Sequence, residues 1–435
     1  MQWIDTNHAS QGELQGLFEN PMALFTEEIK DSVGEIERMV QSRGDAALMA
    51  LTEKFDGVKL ESLKVSEEAM DEAFVNVSTD LLIALEKAKE NIEKYHRKQL
   101  RESFFTREEN GGMLGQMITP LKRVGLYVPG GTAAYPSSVL MNGIPAALAG
   151  VKEIVLISPP QQDGKIHPGV LVAAKLIGIT EVYTLGGAQG IFAMTYGTES
   201  IPKVDKIVGP GNVYVTLAKK MVYGQVDIDM IAGPSEILII ADKDQNPAFI
   251  AADLLSQAEH DPLASAILIT PSKALGEAVL KELEQQQQNL QRKDITQTAL
   301  ENQGKIIITE TLEEAFHLSN RFAPEHLELL VEDPMSHLPK VENAGCVFLG
   351  PYSPEPLGDY YAGTNHTLPT SGSAKYFSPL SVDDFIKKTS LVYYTKEGLQ
   401  RARKDIELLA DYEGLEAHKK AVSLRFEEDT EDRKI

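Results

Sequence analysis

Apolar positions recur every three to four residues from about residue 26 to 55 and again from about 81 to 95, a spacing that predicts amphipathic helices. From residue 123 the pattern changes. Short β-branched runs at 124–128, 154–158, 182–185 and 206–208 alternate with Gly and Pro turns and with helix-length segments. Parallel neighbours need a crossover, usually a helix, so this alternation predicts a parallel α/β layer. A second set follows, with strands at 237–241, 266–270, 306–309 and 347–349 and helices near 247–258, 273–291 and 312–320. The glutamines at 285–288 continue a helical run of Lys and Glu and read as a solvated helix face. From about residue 382 the chain is again helical and charged, and it carries Glu413-Gly-Leu-Glu-Ala-His418 far from any predicted strand.

The expected organisation has four parts: a largely helical region 1–122 partly packing on the main lobes, a lobe at 123–234, a lobe at 235–381 and a helical tail at 382–435. The fold class is α/β, with two parallel-sheet lobes between helical terminal segments. A chain of 435 residues exceeds one simple core, which agrees with two lobes. The net charge of -22 argues against binding a phosphate backbone nonspecifically, so small molecules or other subunits are the expected partners. No apolar run is long enough for a bilayer, and the first residues lack a basic and apolar leader, so no membrane partner and a cytoplasmic location are expected. Cys346 is the single cysteine, which excludes an intrachain disulfide and an all-cysteine zinc site; it reads as a small hydrophobe at a strand start. Any metal must use nitrogen and oxygen ligands.

Four glycine-rich turns follow strands: Pro129-Gly-Gly-Thr132, Leu185-Gly-Gly-Ala-Gln-Gly190, Val208-Gly-Pro-Gly-Asn212 and Ala232-Gly-Pro-Ser235. A glycine turn lets backbone amides approach a ligand, and a helix starting there offers its N–H groups to phosphate. The second and third turns suit a nucleotide, although neither is a full G-x-G-x-x-G and no acid stands out about twenty residues on for a ribose. Ordinary strand-to-helix turns remain an equal reading.

In Ser256-Gln-Ala-Glu-His260, Gln257 and His260 are three apart on an otherwise apolar segment. On a helix that spacing aims both side chains at one point, as two metal ligands would be; the alternative is a helix end in water, stopped by Asp261-Pro262. Glu325 and His326 stand side by side after Pro324. They suit proton transfer at neutral pH, or else they begin a helix, where the dipole favours Glu. The run from Gly350 to His366 reads as a long loop rich in Gly, Pro and Tyr that carries Asp359 beside a ligand or in a turn.

With GLYVPGG, GGAQG, VGPGN, AGPSE, SQAEHD, RFAPEHLE, GDYYAGTNHTLPTSG and EGLEAH in order, the chain resembles the histidinol dehydrogenase family from about residue 123 to 425. The resemblance implies two incomplete Rossmann-like lobes and zinc held by Gln257, His260, Asp359 and His418. It implies Glu325 and His326 as the catalytic pair and Tyr127, Gln189 and Asn212 as NAD contacts. Ser235, Gln257, His260, His326, Asp359, Glu413 and His418 match the substrate contacts. L-Histidinol would be oxidised through L-histidinal to L-histidine with two NAD, in the last steps of histidine biosynthesis. The tail residues Glu413 and His418 would come from the partner in an intertwined homodimer with shared active sites. A zinc hydrolase using Glu325 to activate water is the alternative, but it leaves the nucleotide-type turns without a purpose; a nonenzymatic nucleotide-binding or scaffold protein of the same fold is a third reading, and both demand coincidences that the dehydrogenase does not.

Overall fold

The computed structural model describes residues 1–10, 12, 16, 25–109, 111–130 and 135–427. Gly131 and Thr132 of the first glycine turn lie outside the described residues. The chain forms two compact units, one of Met1–Leu100 with Leu121–Phe385 and one of Arg101–Pro120 with Ile386–Ile435.

The first unit holds two parallel sheets, as the alternating pattern predicts. One has the strand order Glu181–Thr184, Glu153–Ser158, Arg123–Tyr127, Lys206–Val208, Asp227–Ile228. Its strands are apolar on both faces because helices cover both. On one side the helices Pro136–Ala149 and Pro168–Leu176, with Leu85 and Ile92 from Thr79–His96, bury one apolar cluster. On the other, Glu27–Asp56, Gly187–Tyr196 and Val213–Val222 bury a second.

The other parallel sheet has the order Gln2–Asp5, Lys305–Ile308, Ser265–Thr270, Glu236–Ala241, His326–Leu330, Cys346–Leu349. Helix Pro247–Ala258 packs on one face and Leu312–Phe322 on the other. Two of its strands differ from the sequence expectation. Gln2–Asp5 comes from the region read as helical and pairs in parallel with Lys305–Ile308. His326–Leu330 is a strand where a helix start was the other reading of Glu325-His326; it is buried throughout and pairs with strands on both sides. Its HLELL pattern alternates only weakly because both faces are covered.

The second unit contains a three-stranded antiparallel sheet, in the order Ile386–Tyr393, Met113–Pro120, Phe104–Arg107. Ile386 pairs with Pro120 and Tyr393 with Met113 across the full length. These strands fall in segments expected to be helical. Ile386–Tyr393 and Met113–Pro120 pair across some 270 residues, whereas Phe104–Arg107 pairs with the nearby Met113–Pro120. The helices Lys396–Tyr412 and Glu416–Ser423 follow, as the charged tail predicts.

Candidate active site

The amino-terminal edge of the second parallel sheet gathers the ionisable groups. His326 opens its strand, in register with Ile237 on one side and Cys346 on the other. Glu236 opens the neighbouring strand, directly after the Ala232–Ser235 turn. Its backbone N–H donates to Glu325 Oε2 at 2.8 Å, and its carbonyl faces His326 Nδ1 at 3.0 Å. A carbonyl only accepts, so Nδ1 carries a proton, and Nε2 is the nitrogen that gains or loses one. That nitrogen is buried without a hydrogen-bond partner, 3.5 Å from Asp359 Oδ1.

Helix ends meet this edge. Helix Pro247–Ala258 starts at an Asn246 side-chain cap and ends two residues before His260. His260 is therefore off the helix, contrary to the expected shared helical face, and its N–H closes a turn on the Gln257 carbonyl at 3.2 Å. Gln257 is fully buried, and its Oε1 has no partner. Asp359 sits not in a loop but in a short helix, Glu355–Tyr360, within the Gly350–His366 run. One ligand atom each from His260, Glu355 and Asp359 lie within 4.8 Å of one another.

Burial dominates the titration of these groups. It pushes Glu325 up to about 7, opposed by His326, and Glu236 up to about 8, with Glu325 adding repulsion. Burial would lower His326, but the negative charges of Glu325 and Asp359 outweigh it and raise the imidazole to about 10. Burial would likewise raise Asp359; its attraction to His326 holds it well below the carboxylate range instead. His260 is lowered by burial and so favours the neutral, ligating imidazole.

A divalent cation fits this chemistry. An orphaned buried amide oxygen, a neutral imidazole and a low-pKa carboxylate are hard and borderline donors, which suit zinc. A cation there would also cancel the Asp359 charge that holds the proton on His326. The carboxyl ends of helices Pro247–Ala258 and Glu355–Tyr360 add negative partial charge.

The turns of the first parallel sheet enclose a cavity of about 410 Å³, whose lining includes Tyr127, Gly187, Gln189, Asn212, Tyr214 and Asp56. Gly187 begins a helix and donates its N–H to Tyr127 Oη at 3.2 Å. Burial pushes the Tyr127 phenol up to about 12, so it remains protonated. Asn212 caps the next helix through its Oδ1, at 3.1 Å from both Tyr214 and Val215 N–H groups. It also lines a second cavity of about 200 Å³ reaching Gly233, Pro234 and Ser371. Asn212 thus stands between the nucleotide-sized cavity and the turn that leads to Glu236.

A buried ion pair fixes the Asn212 turn. Asp229 accepts the Gly209 N–H at 2.8 Å, Lys219 donates to the Gly209 carbonyl at 2.9 Å, and the two side chains pair directly. Gly209 has φ +115, and a Cβ there would lie 2.0 Å from the Tyr127 carbonyl oxygen, so only glycine fits.

Of the expected residues, Gln257, His260, Glu325, His326 and Asp359 gather at the sheet edge, Ser235 precedes Glu236 on the same turn, and Tyr127, Gln189 and Asn212 share one cavity. Glu413 and His418 belong to the second unit and are exposed, at the end of helix Lys396–Tyr412 and within Glu416–Ser423. Sequence reasoning missed Glu236, Glu355, Lys219, Asp229 and Asp56. Glu236 lay in a quoted motif without a role; the others carry no local signal. Cys346 opens a strand, and burial pushes its thiol up to about 11, which agrees with a packing role.

The family model for histidinol dehydrogenase matches residues 21–426. A histidinol dehydrogenase of Listeria monocytogenes serovar 1/2a is 56% identical over 402 residues, covering 92% of this chain and 94% of that one. One of Geobacillus kaustophilus is 55% identical over 402 residues, covering 92% and 95%. The crystal structure of histidinol dehydrogenase from Elizabethkingia anophelis superposes with a TM-score of 0.93 at 42% identity, covering 99% of both chains.

Proposed function

The chain belongs to the histidinol dehydrogenase family, oxidoreductases of histidine biosynthesis, and from that premise we propose how its residues carry out the two oxidations of L-histidinol. The observation that carries the reading is the buried His326 ring set between two carboxylates, with Nδ1 3.6 Å from Glu325 Oε2 and Nε2 aimed at Asp359 Oδ1 at 3.5 Å. NAD is the hydride acceptor, in the cavity of Tyr127, Gln189 and Asn212.

In the first step His326 Nε2 takes the hydroxyl proton as hydride leaves the same carbon, giving the aldehyde. The bond from Nδ1 to the Glu236 carbonyl holds the ring in the tautomer that this needs. Water must then add to the aldehyde. Glu325, with a pKa near neutrality, takes a proton from that water as its oxygen bonds to carbon, and His326 returns the proton it took to the former carbonyl oxygen, which gives the hydrate and restores the base. His326 removes a proton from the resulting hydrate as the second hydride leaves, which completes the carboxylic acid. Overall, one alcohol, one water and two NAD give one carboxylate, two NADH and three protons.

Gln257, His260, Asp359 and the partner subunit's His418 are the residues that would hold zinc. When bound, the metal supplies a Lewis acid that fixes the substrate's imidazole and amino groups. Ser235 and Glu413 contribute to substrate positioning. The second unit exposes Phe104, Phe105, Val392, Leu408 and Tyr412, which supports a homodimer in which the tail reaches a second copy. No described helix is long and apolar enough to cross a membrane.

Purified protein given zinc, NAD and L-histidinol should form L-histidine with two NADH per substrate consumed. No NADH from protein that retains its zinc would overturn the reading; water-dependent cleavage without NAD would favour the hydrolase.

A further inference from the structure

Dinucleotide folds commonly place an acidic residue about twenty positions after the glycine turn, where it binds the adenosine ribose. In this chain Asp229 stands twenty positions after Gly209, but it is buried and committed to Gly209, Met230 and Lys219. Another group must receive the ribose. Asp56 lines the nucleotide-sized cavity together with Tyr127, Gln189 and Asn212, although it comes from the last residue of helix Glu27–Asp56, far away in sequence. Its Oδ2 is buried and has no hydrogen-bond partner. A buried acceptor left unsatisfied is costly, and two vicinal hydroxyl groups are donors that would satisfy it.

The cavity has a second relevant property. None of its described lining residues is Lys or Arg, so nothing among them would neutralise an added phosphate.

We propose that Asp56 is the carboxylate that accepts the adenosine ribose hydroxyls and so selects NAD over its 2′-phosphorylated form. The selection has an attractive and a repulsive part: the charged oxygens bind the 2′- and 3′-hydroxyls, and the same charge repels a 2′-phosphate. This specificity residue comes from the helical amino-terminal segment rather than from either sheet. The inference rests on reading this cavity as the dinucleotide site.

Equilibrium binding of NADH and NADPH, followed by nucleotide fluorescence on the zinc-loaded full chain, tests it without turnover. Wild type should prefer NADH. In Asp56→Asn, NADH should bind about tenfold more weakly while NADPH binds as well as before or better, so that the preference falls by about 10–100-fold. Asp56→Glu should keep part of the preference. Equal loss of both nucleotides, or no change in either, would overturn the proposal; the first, with a lowered melting temperature, would mark Asp56 as only a helix-end residue. Wild type that binds neither nucleotide would instead overturn the reading of the cavity, and the proposal with it.

Discussion

The two parallel sheets of the first unit put opposite edges to use. In the sheet around Arg123–Tyr127, the cavity residues Tyr127, Gly187 and Asn212 follow the carboxyl ends of strands, and helices begin beside them. In the sheet around His326–Leu330, Glu236 and His326 stand at the amino ends of strands, and Gln257 and Asp359 lie at the carboxyl ends of helices. The difference follows the charge of the ligand each edge suits. Helix amino termini present N–H groups and positive partial charge, which favour a pyrophosphate; helix carboxyl termini present carbonyls and negative partial charge, which favour a cation. One repeated α/β plan therefore yields an anion edge and a cation edge.

The sharpest test of that division is to damage each edge separately. His260→Ala should cost zinc affinity more than the roughly 10–100-fold typical of losing a supporting residue, and activity should fall with it. Asn212→Ala should leave zinc content unchanged and raise the KM for NAD about tenfold. Metal analysis and NAD-dependent kinetics on both variants check the contrast, and zinc loss in Asn212→Ala would break it.

Next in size is the ion pair beneath the anion edge. Lys219→Met leaves the Asp229 carboxylate buried without its counter-charge, which should destabilise the protein by about 3–5 kcal/mol in urea unfolding. The KM for NAD should rise, since Gly209 loses a constraint, whereas metal content should not change. Unaltered stability would mean that the pair does not hold the turn.

The smallest effect concerns pH at the cation edge. Glu236 is raised to about 8 in the folded protein against an ordinary value of 4.5, so folding favours its protonated form. Its contribution is fully present below about pH 4.5 and is lost as pH rises through about 8. Metal-free wild type should therefore lose stability between pH 5 and pH 8, and Glu236→Gln, neutral throughout, should lose less. Parallel urea curves at the two pH values, equal for both proteins, would show that Glu236 does not titrate as its burial requires.

Much of the fold was legible because parallel strands buried on both faces read as short apolar runs between glycine turns. The antiparallel sheet was not, because IKKTSLVY becomes a strand only by pairing with MLGQMITP, some 270 residues earlier. The site was legible in a similar, partial way. Gln257 with His260, and Glu325 with His326, announce themselves by proximity in sequence, and the resemblance joined them to Asp359 and His418. Glu355 and Asp56 are single acids among 64, with no feature to separate them until burial and an unsatisfied oxygen did so.

The sequence by itself determined the α/β class, the glycine turns, the residue types available for chemistry and the family. Only the tertiary structure decided which edge of each sheet gathers these residues, that His326 aims Nε2 at Asp359, and that an amino-terminal helix delivers Asp56 to the cavity of Tyr127 and Asn212. The physical reason is that composition and periodicity record a residue's preference for burial or for a local backbone geometry. Proton location, ligand reach and charge balance depend instead on distances of a few ångströms between segments hundreds of residues apart, which local sequence does not encode.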